Sequence, residues 1–182
     1  MTCVSAKSCA NRGGSKTAGL RQPFSKAVGG ERHVVLVAPE IHWNTGNVGR
    51  TCLGVGARLH LIRPLGFSLD SRAVKRAGLD YWPQVNLSVW DDFDTFFHAF
   101  APSDSEICLF SKSGRRPLWQ LPITRRQFLV FGSETGGLPA EIRRRFSSNL
   151  FCIPIQPAVR SLNLSTAVGI ALYESRRPKD LH

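Results

Sequence analysis

Short, nearly continuous apolar runs alternate along the chain with segments whose apolar residues recur at helical spacing. The runs predict buried strands, and they are HVVLVA (33–38), LHLI (59–62), QVNLSV (84–89), ICLFS (107–111), QFLVF (127–131) and LFCIPI (150–155). The segments between and after them predict helices over 45–57, 71–78, 91–100, 139–146 and 164–176. Strands that alternate with helices predict an α/β fold, with a mostly parallel sheet covered by helices on both faces. Functional residues are expected at the carboxyl ends of its strands.

Length and charge narrow the class of protein. The chain has 182 residues, which suits one folded domain. It carries 24 Lys and Arg residues against 13 Asp and Glu residues, a net charge of +11, which favours a polyanionic partner such as nucleic acid. No apolar run approaches the roughly 18 residues of a membrane helix, so no membrane partner is expected.

The first 30 residues differ in composition from the rest. They contain five basic residues and no acidic one, and much of the remainder is Ser, Thr, Gly and Ala. This composition is typical of a transit peptide for a mitochondrion or chloroplast. The alternative is a disordered basic tail that contacts RNA, in a protein that stays in the cytoplasm. We therefore divide the chain into an extension (1–30) and a basic folded domain (31–182).

The cysteines and histidines do not form a recognised metal or redox motif. The five cysteines show no CxxC spacing, and the five histidines form no HExxH pattern. Cys52, Cys108 and Cys152 lie in apolar contexts that are typical of small buried side chains. We expect no metal site and no disulfide framework, which suits a reducing compartment.

Polar and glycine-rich loops follow three of the predicted strands. In PEIHWNTGNVGR, Asn44, Asn47 and Arg50 recur at intervals of three, so a helix that begins near Asn44 places them on roughly one face. Glycine weakens a helix, and three glycines in this segment favour close approach of the backbone to a ligand. The alternative is an asparagine helix cap beside a solvated arginine.

The second and third loops are FGSETGGLP (131–139) and IPIQPAVRSLNLS (153–165). Gly132 is expected to admit a ligand close to the backbone, and Glu134 is expected near the N-terminus of the helix at 139, where it stays ionised. Ser161 and Asn163 are both good N-cap residues for the following helix, which needs only one. Neither GxxxxGK[ST] nor GxGxxG after a strand is present, which argues against a nucleotide triphosphatase or a dinucleotide-dependent oxidoreductase.

These three loops, in this order, resemble the three motifs of the SpoU branch of the SPOUT RNA methyltransferases. The stretches that carry the resemblance are NTGNVGR, FGSETGGLP and IPIQPAVRSLNLSTAVGIALYE, and it extends over residues 33–177. RLHLIRPLGF and KRAGLDYW further resemble the small members that methylate the wobble nucleotide of tRNA. The resemblance implies a trefoil knot near the C-terminus, S-adenosylmethionine as cofactor, tRNA as substrate, and a homodimer in which the partner chain completes each site.

The resemblance also assigns roles to individual residues. The residues implied in catalysis are Arg50, Asn44, Glu134, Ser161 and Asn163, and those implied in cofactor binding are Phe110, Gly132, Ile153, Ser161 and Leu162. Because a guanidinium stays charged, we expect Arg50 to hold an RNA phosphate that accepts the proton of the ribose 2′-hydroxyl, and to stabilise the developing alkoxide.

Basic residues near this site are the candidates for RNA binding. They are Arg115, Arg116, Arg143, Arg144 and Arg145, for which the alternative is a solvated surface. The sequence thus predicts a 2′-O-methyltransferase that acts on the tRNA wobble nucleotide. Methylation of another tRNA or rRNA nucleotide, or RNA binding without catalysis on the same fold, remain the alternatives.

Overall fold

The computed structural model describes residues 30–69 and 80–178. Within them, seven strands form one parallel sheet in the order β3-β2-β1-β6-β4-β7-β5, which confirms the predicted α/β class. The predicted helix at 71–78 and residues 1–29 lie outside the described residues.

The strands are short and mostly buried. They are β1 (Glu31–Val37), β2 (Arg58–Ile62), β3 (Leu87–Trp90), β4 (Ile107–Phe110), β5 (Arg116–Pro117), β6 (Arg126–Phe131) and β7 (Leu150–Cys152). The helices are α1 (His42–Val55), α2 (Phe93–Phe100), α3 (Ala140–Arg145) and α4 (Leu164–Glu174). Three-residue 3-10 helices span Trp82–Gln84, Leu118–Gln120 and Ser147–Asn149.

Helices cover both faces of the sheet. Successive side chains of a strand point to opposite faces, and the strands bury side chains on each face. One face packs against α1 and α4, through residues such as Leu36, Val48 and Leu172. The other packs against α2 and α3, through residues such as Phe96 and Ile142. The predicted burial of Cys52 and Cys108 is confirmed, whereas Cys152 is only partly buried. Burial raises the pKa of the Cys52 and Cys108 thiols to about 12.

A buried arginine fixes the C-terminal end of α4 to the start of β1. Arg32 is almost completely buried, and its guanidinium donates to the backbone oxygen of Ser175 at 2.6 Å and to that of Thr124 at 3.1 Å. The opposite end of α4 therefore lies towards the carboxyl edge of the sheet, where the loops meet.

Two predicted strands have different bounds in the structure. Residues 84–86 were predicted as strand, but Gln84 ends a 3-10 helix that begins with Trp82–Pro83, and β3 starts only at Leu87. The predicted strand at 150–155 ends at Cys152 because Pro154 has no N–H to continue the ladder. No helix among residues 30–69 and 80–178 is long and apolar enough to cross a membrane.

Candidate active site

A cavity of about 550 Å³ opens at the carboxyl ends of β4, β6 and β7. Parts of all three polar loops line it, together with residues 110–113 that follow β4. Its walls include the predicted residues Asn44, Phe110, Gly132, Glu134, Ile153, Ser161, Leu162 and Asn163. The chain fold thus brings together four of the five predicted catalytic residues and all of the predicted cofactor residues.

Glu134 joins the loop after β6 to the start of α1. Its Oε2 accepts the N–H of Glu40 at 2.8 Å, and its Oε1 accepts the N–H of Ile41 at 3.3 Å. Ile41 is the N-cap of α1 and has no capping side chain, so Glu134 satisfies backbone donors at this helix end. Sequence reasoning expected Glu134 at a turn near the N-terminus of the helix at 139, and the structure adds that its carboxylate lies against the start of α1, because β1 and β6 are neighbours in the sheet.

Asn44 connects Glu134 to the third loop. Its amide nitrogen donates to Glu134 Oε1 at 2.9 Å, and its Oδ1 accepts from the amide nitrogen of Asn163, also at 2.9 Å. Asn163 Oδ1 in turn accepts the N–H of Ser165 at 2.9 Å, which makes Asn163 the N-cap of α4. The predicted cap at Asn163 is confirmed, and a continuous hydrogen-bonded chain runs from α1 to α4.

Glu40 is a site residue that the sequence reasoning missed. Its side chain accepts from the hydroxyl of Thr135 at 2.7 Å and from the N–H of Thr135 at 3.3 Å. These hydrogen bonds lower the pKa of Glu40, the side-chain bond from Thr135 most of all. Since Glu40 also donates its own N–H to Glu134, the first two loops hold each other reciprocally. No spacing pattern signals this pair, because the two residues lie 95 positions apart.

Gly132 lines the cavity, but the structure gives a different reason for the glycine. A Cβ at this position would lie 1.9 Å from the carbonyl carbon of Gly137 and 2.1 Å from the nitrogen of Leu138. The loop folds back on itself here, and Ser133 and Gly137 exchange backbone hydrogen bonds of 3.2 and 3.0 Å. The glycine is therefore required first for the loop's own backbone to pass, and not simply to admit a ligand.

Apolar side chains form part of the cavity lining. The rings of Phe110 and Phe131, at the ends of neighbouring strands β4 and β6, lie parallel with centroids 4.8 Å apart. Ile153 and Leu162 add aliphatic surface to the lining. A lining that combines apolar side chains with glycine-rich backbone suits a small organic ligand that has both apolar and polar groups.

Arg50 does not line this cavity. It is exposed on α1, six residues or about 9 Å along the helix from Asn44, and its guanidinium carbon lies 4.5 Å from the centroid of the Tyr81 ring. The tyrosine hydroxyl donates to the backbone oxygen of Gly46 at 2.8 Å, which fixes the ring against α1. Arg50 is thus the one predicted catalytic residue that lies outside the cavity of its own chain.

The predicted RNA-binding arginines occupy different environments. Arg143 is half-buried and lines the cavity, and its buried Nε has no hydrogen-bond partner among the described residues. Arg116 instead packs over the ring of Phe151 at 4.4 Å, and Arg145 forms an ion pair with Asp94. Arg115 and Arg144 are exposed and lie outside the cavity lining.

Comparison with known proteins identifies the fold and the three loops together. The model of the SpoU rRNA Methylase family matches residues 31–173. The chain belongs to this family. The SpoU resemblance predicted from the three loops is therefore confirmed.

Relatives and solved structures agree with that membership. A tRNA (cytidine(34)-2′-O)-methyltransferase from Burkholderia ambifaria is 44% identical over 146 residues, which are 80% of this chain and 94% of the relative. A structure described as giving insights into the "2-OH methylation of C/U34 on tRNA" has a TM-score of 0.72 and 45% identity, and the match covers 82% of this chain and 96% of that one. An AdoMet-bound rRNA methyltransferase from Sinorhizobium meliloti has a TM-score of 0.72 and 25% identity, over 82% of this chain and 57% of that one.

The cavity is lined by both polar and apolar side chains. Among residues 30–69 and 80–178, no cluster of three or more His, Cys, Asp or Glu side chains is arranged to hold an ion.

Proposed function

We propose that the protein is an S-adenosylmethionine-dependent tRNA 2′-O-methyltransferase that modifies the wobble nucleotide, position 34 of the anticodon. The observation that carries the proposal is the hydrogen-bonded chain Glu134–Asn44–Asn163, which joins the three SpoU motifs at the rim of one cavity. Its 44% identity to a tRNA (cytidine(34)-2′-O)-methyltransferase, over nearly the whole of that relative, supports the choice of substrate.

The cavity fits S-adenosylmethionine. Its volume falls within the range of roughly 300–1,000 Å³ for small-molecule sites, and it combines a stacked aromatic wall with a backbone-rich loop. Phe110, Gly132, Ile153, Ser161 and Leu162 would hold the cofactor. When bound, the cofactor supplies an electrophilic methyl group carried on a sulfonium.

The polar side chains at the rim would position the ribose. The amide of Asn44 is fixed on both sides, by Glu134 and by Asn163, so it orients the groups around it without rearranging. Ser161 also lines the cavity, and its hydroxyl would donate to or accept from a ribose oxygen. An RNA phosphate accepts the proton of the 2′-hydroxyl while Arg50 holds that phosphate through a two-pronged contact.

Arg50 would reach the reacting ribose of a second subunit. It is exposed on α1 and lies outside the cavity of its own chain, which supports a role across a homodimer interface. α4, which packs beside α1, presents Ile170 and Tyr173 to solvent, and exposed apolar side chains on one element are typical of an interaction surface. The homodimer and the action of Arg50 in trans form one proposal.

Mixing two variants that are each strongly impaired tests this proposal. One variant carries Arg50→Ala and keeps an intact cavity. The other carries Asn163→Ala, which alters the cavity and keeps Arg50. If Arg50 acts in trans, a mixed dimer has one complete site, and mixing restores about a quarter of the wild-type activity when the chains pair at random. If Arg50 acts within its own chain, or the protein is a monomer by sedimentation, mixing restores nothing.

A trefoil knot near the C-terminus is also part of the proposal. The path of the chain supports it. From β7, near one edge of the sheet, the chain runs through the loop at 153–163 and returns to the centre, where α4 packs against the face that includes β1 and β6.

The extension at 1–30 would act as a transit peptide and contribute nothing to catalysis. Its basic composition without acids, and a family match that starts at residue 31, support this. A chain that begins at Gly30 should methylate tRNA within about tenfold of the full-length rate, and a fluorescent protein fused after residue 30 should enter an organelle. Loss of activity in a folded shortened chain, or a fusion that stays in the cytoplasm, would contradict it.

Mapping of 2′-O-methyl groups tests the proposed target in cells. In tRNA from cells that lack the protein, the methyl group at nucleotide 34 should disappear from specific tRNAs while other 2′-O-methyl groups stay. Loss at a different tRNA or rRNA nucleotide would show that the site acts on another substrate.

A further inference from the structure

An exposed tryptophan occupies the first turn of α1, next in sequence to Asn44. Trp43 is the second residue of α1, and 54% of its surface is accessible. It directly precedes Asn44, the central residue of the hydrogen-bonded chain. Two positions before it, Ile41 lines the cavity. Trp43 is therefore close along the backbone to two residues that line the cavity, while Trp43 itself is not part of the lining.

The surroundings of Trp43 leave much of its ring open. Its ring partner among residues 30–69 and 80–178 is His42, with centroids 4.5 Å apart and an angle of 38° between the planes. Exposed Ile41 and Ile155 line the cavity mouth nearby, so the rim has an apolar character. A large aromatic ring normally loses contact with water on folding, and this one stays exposed on the first turn of the helix that carries Asn44.

We propose that Trp43, with His42 against it, is a stacking platform for an unpaired base of the RNA substrate. The inference rests on the proposed function, because it places that base next to the ribose entering the cavity. Proteins that recognise single-stranded RNA splay out loop bases and stack them on aromatic side chains. A nucleotide whose 2′-hydroxyl must enter a cavity has to leave its neighbours in the stack, and the tryptophan replaces the lost contact.

The position of Trp43 favours a base of the RNA over the cofactor. The cofactor wall is Phe110 and Phe131, which are buried at the strand ends, whereas Trp43 lies outside the cavity lining. A platform that binds RNA and not S-adenosylmethionine should affect one affinity and leave the other unchanged. That separation makes the inference testable without any measurement of turnover.

The experiment uses an anticodon stem-loop RNA with the fluorescent base 2-aminopurine next to nucleotide 34. We compare the full-length protein with Trp43→Ala, Trp43→Phe and Trp119→Ala. Trp119 is the matched control, because it is 58% exposed and does not line the cavity. The measurements are the dissociation constant of the stem-loop, the quenching of 2-aminopurine on binding, and the calorimetric affinity for S-adenosylmethionine.

The platform predicts a specific pattern. Trp43→Ala should weaken stem-loop binding about tenfold, within the range measured for single base–aromatic stacks, and should abolish the quenching. Trp43→Phe should restore most of both, while Trp119→Ala should match wild type and every variant should bind S-adenosylmethionine normally. Stem-loop binding by Trp43→Ala within twofold of wild type would overturn the inference. So would a Trp43→Ala protein that is a monomer where the wild type is a dimer.

Failure of the proposed function would give a different result. If wild-type protein quenches the probe through Trp43 but methylates no tRNA at a 2′-hydroxyl, the platform stands and the assigned reaction does not. If wild type methylates tRNA and Trp43→Ala does so with an unchanged KM, the reaction stands and the platform does not.

Discussion

The amide nitrogen of Asn163 donates to Oδ1 of Asn44 at 2.9 Å, and this contact joins α4 to α1 across the mouth of the cavity. The two residues lie 119 positions apart. Each has a second task, since Asn44 donates to Glu134 and Asn163 caps α4. An asparagine suits both positions because its amide both donates and accepts.

Substitution of Asn163 by Asp separates the two tasks of this residue. Aspartate caps a helix as well as asparagine does, but it cannot donate to Asn44 and instead places a second acceptor oxygen there. We expect the free energy of unfolding to stay within about 1 kcal/mol of wild type, while turnover falls about tenfold or more because one neutral hydrogen bond is lost. Urea unfolding and single-turnover methyl transfer measure the two quantities.

Asn163→Ala is the matched comparison for Asn163→Asp. It removes the cap as well, so it should cost about a further 1 kcal/mol of stability. Normal turnover in Asn163→Asp would show that the contact with Asn44 does not serve catalysis.

Replacement of Arg50 tests its assigned role on the RNA. Arg50→Ala should leave the affinity for S-adenosylmethionine within a few-fold and lower turnover by about 10²-fold, the scale of one lost electrostatic partner in a transition state. Arg50→Lys should rescue little, since an ammonium does not hold a phosphate through two parallel bonds. Arg58→Ala is the control. Arg58 pairs with Glu31 at the amino ends of β2 and β1, and the cavity lies at the carboxyl ends of the strands. Near-normal turnover in Arg50→Ala would refute the assignment.

A methyl group at position 132 should damage the loop itself. In Gly132→Ala the new Cβ meets backbone atoms of Gly137 at about 1.9 Å, and backbone cannot move aside as a flexible side chain can. We expect a loss of about 1–3 kcal/mol in the free energy of unfolding, together with weaker S-adenosylmethionine binding. Gly136→Ala is the matched control, since its Cβ meets only the Ser133 hydroxyl at 3.3 Å. Wild-type stability in Gly132→Ala would contradict the close approach.

Sequence reasoning identified the residues of the site better than their geometry. Asn163 was predictable as a cap because capping is local, a matter of two or three residues along the chain. The partner of Glu134 was not predictable, because it depends on β6 lying next to β1 in the sheet. Strand order arises from the packing of distant segments, and neither hydrophobic periodicity nor motif spacing encodes it.

The same limit explains Gly132 and Glu40. A glycine at a strand end has several possible reasons, and only the folded loop shows that the backbone of Gly137 occupies its Cβ position. Glu40 carried no motif signal, since its partner Thr135 is supplied by a different loop. Arg50 was found through its resemblance to the family motif, which says nothing about whether the residue faces its own cavity.

A buried histidine pair should make stability depend on pH. His60 Nδ1 accepts from the indole of Trp90 at 3.2 Å, so its Nε2 carries the proton and donates to His33 Nδ1 at 2.9 Å. Burial is the main cause that lowers the pKa of His33 to about 4 and that of His60 to about 3. Glu31, 3.2 Å from His33, opposes the shift, while Arg58 adds to the lowering.

The histidine pair predicts lower stability in acid. In the unfolded chain both histidines bind protons near pH 6.5, so below that pH the unfolded state takes up more protons than the folded state. Stability should be complete above about pH 6.5 and should fall by up to about 1.4 kcal/mol per pH unit for each histidine as the pH drops towards 4. Urea unfolding at several pH values measures this. His98→Gln, which changes an exposed histidine on α2, should keep the same slope, and a flat profile between pH 5 and 7 would contradict the buried pair.

Methyl transfer to a tRNA that lacks a single oxygen tests the central claim most directly. The purified full-length protein is incubated with labelled S-adenosylmethionine and either an unmodified tRNA or the same tRNA with a 2′-deoxynucleotide at position 34. The account predicts incorporation of one methyl group into the first tRNA, at the ribose of nucleotide 34, and none into the second. Equal incorporation into both, or none into a panel of tRNAs covering all anticodons, would contradict it.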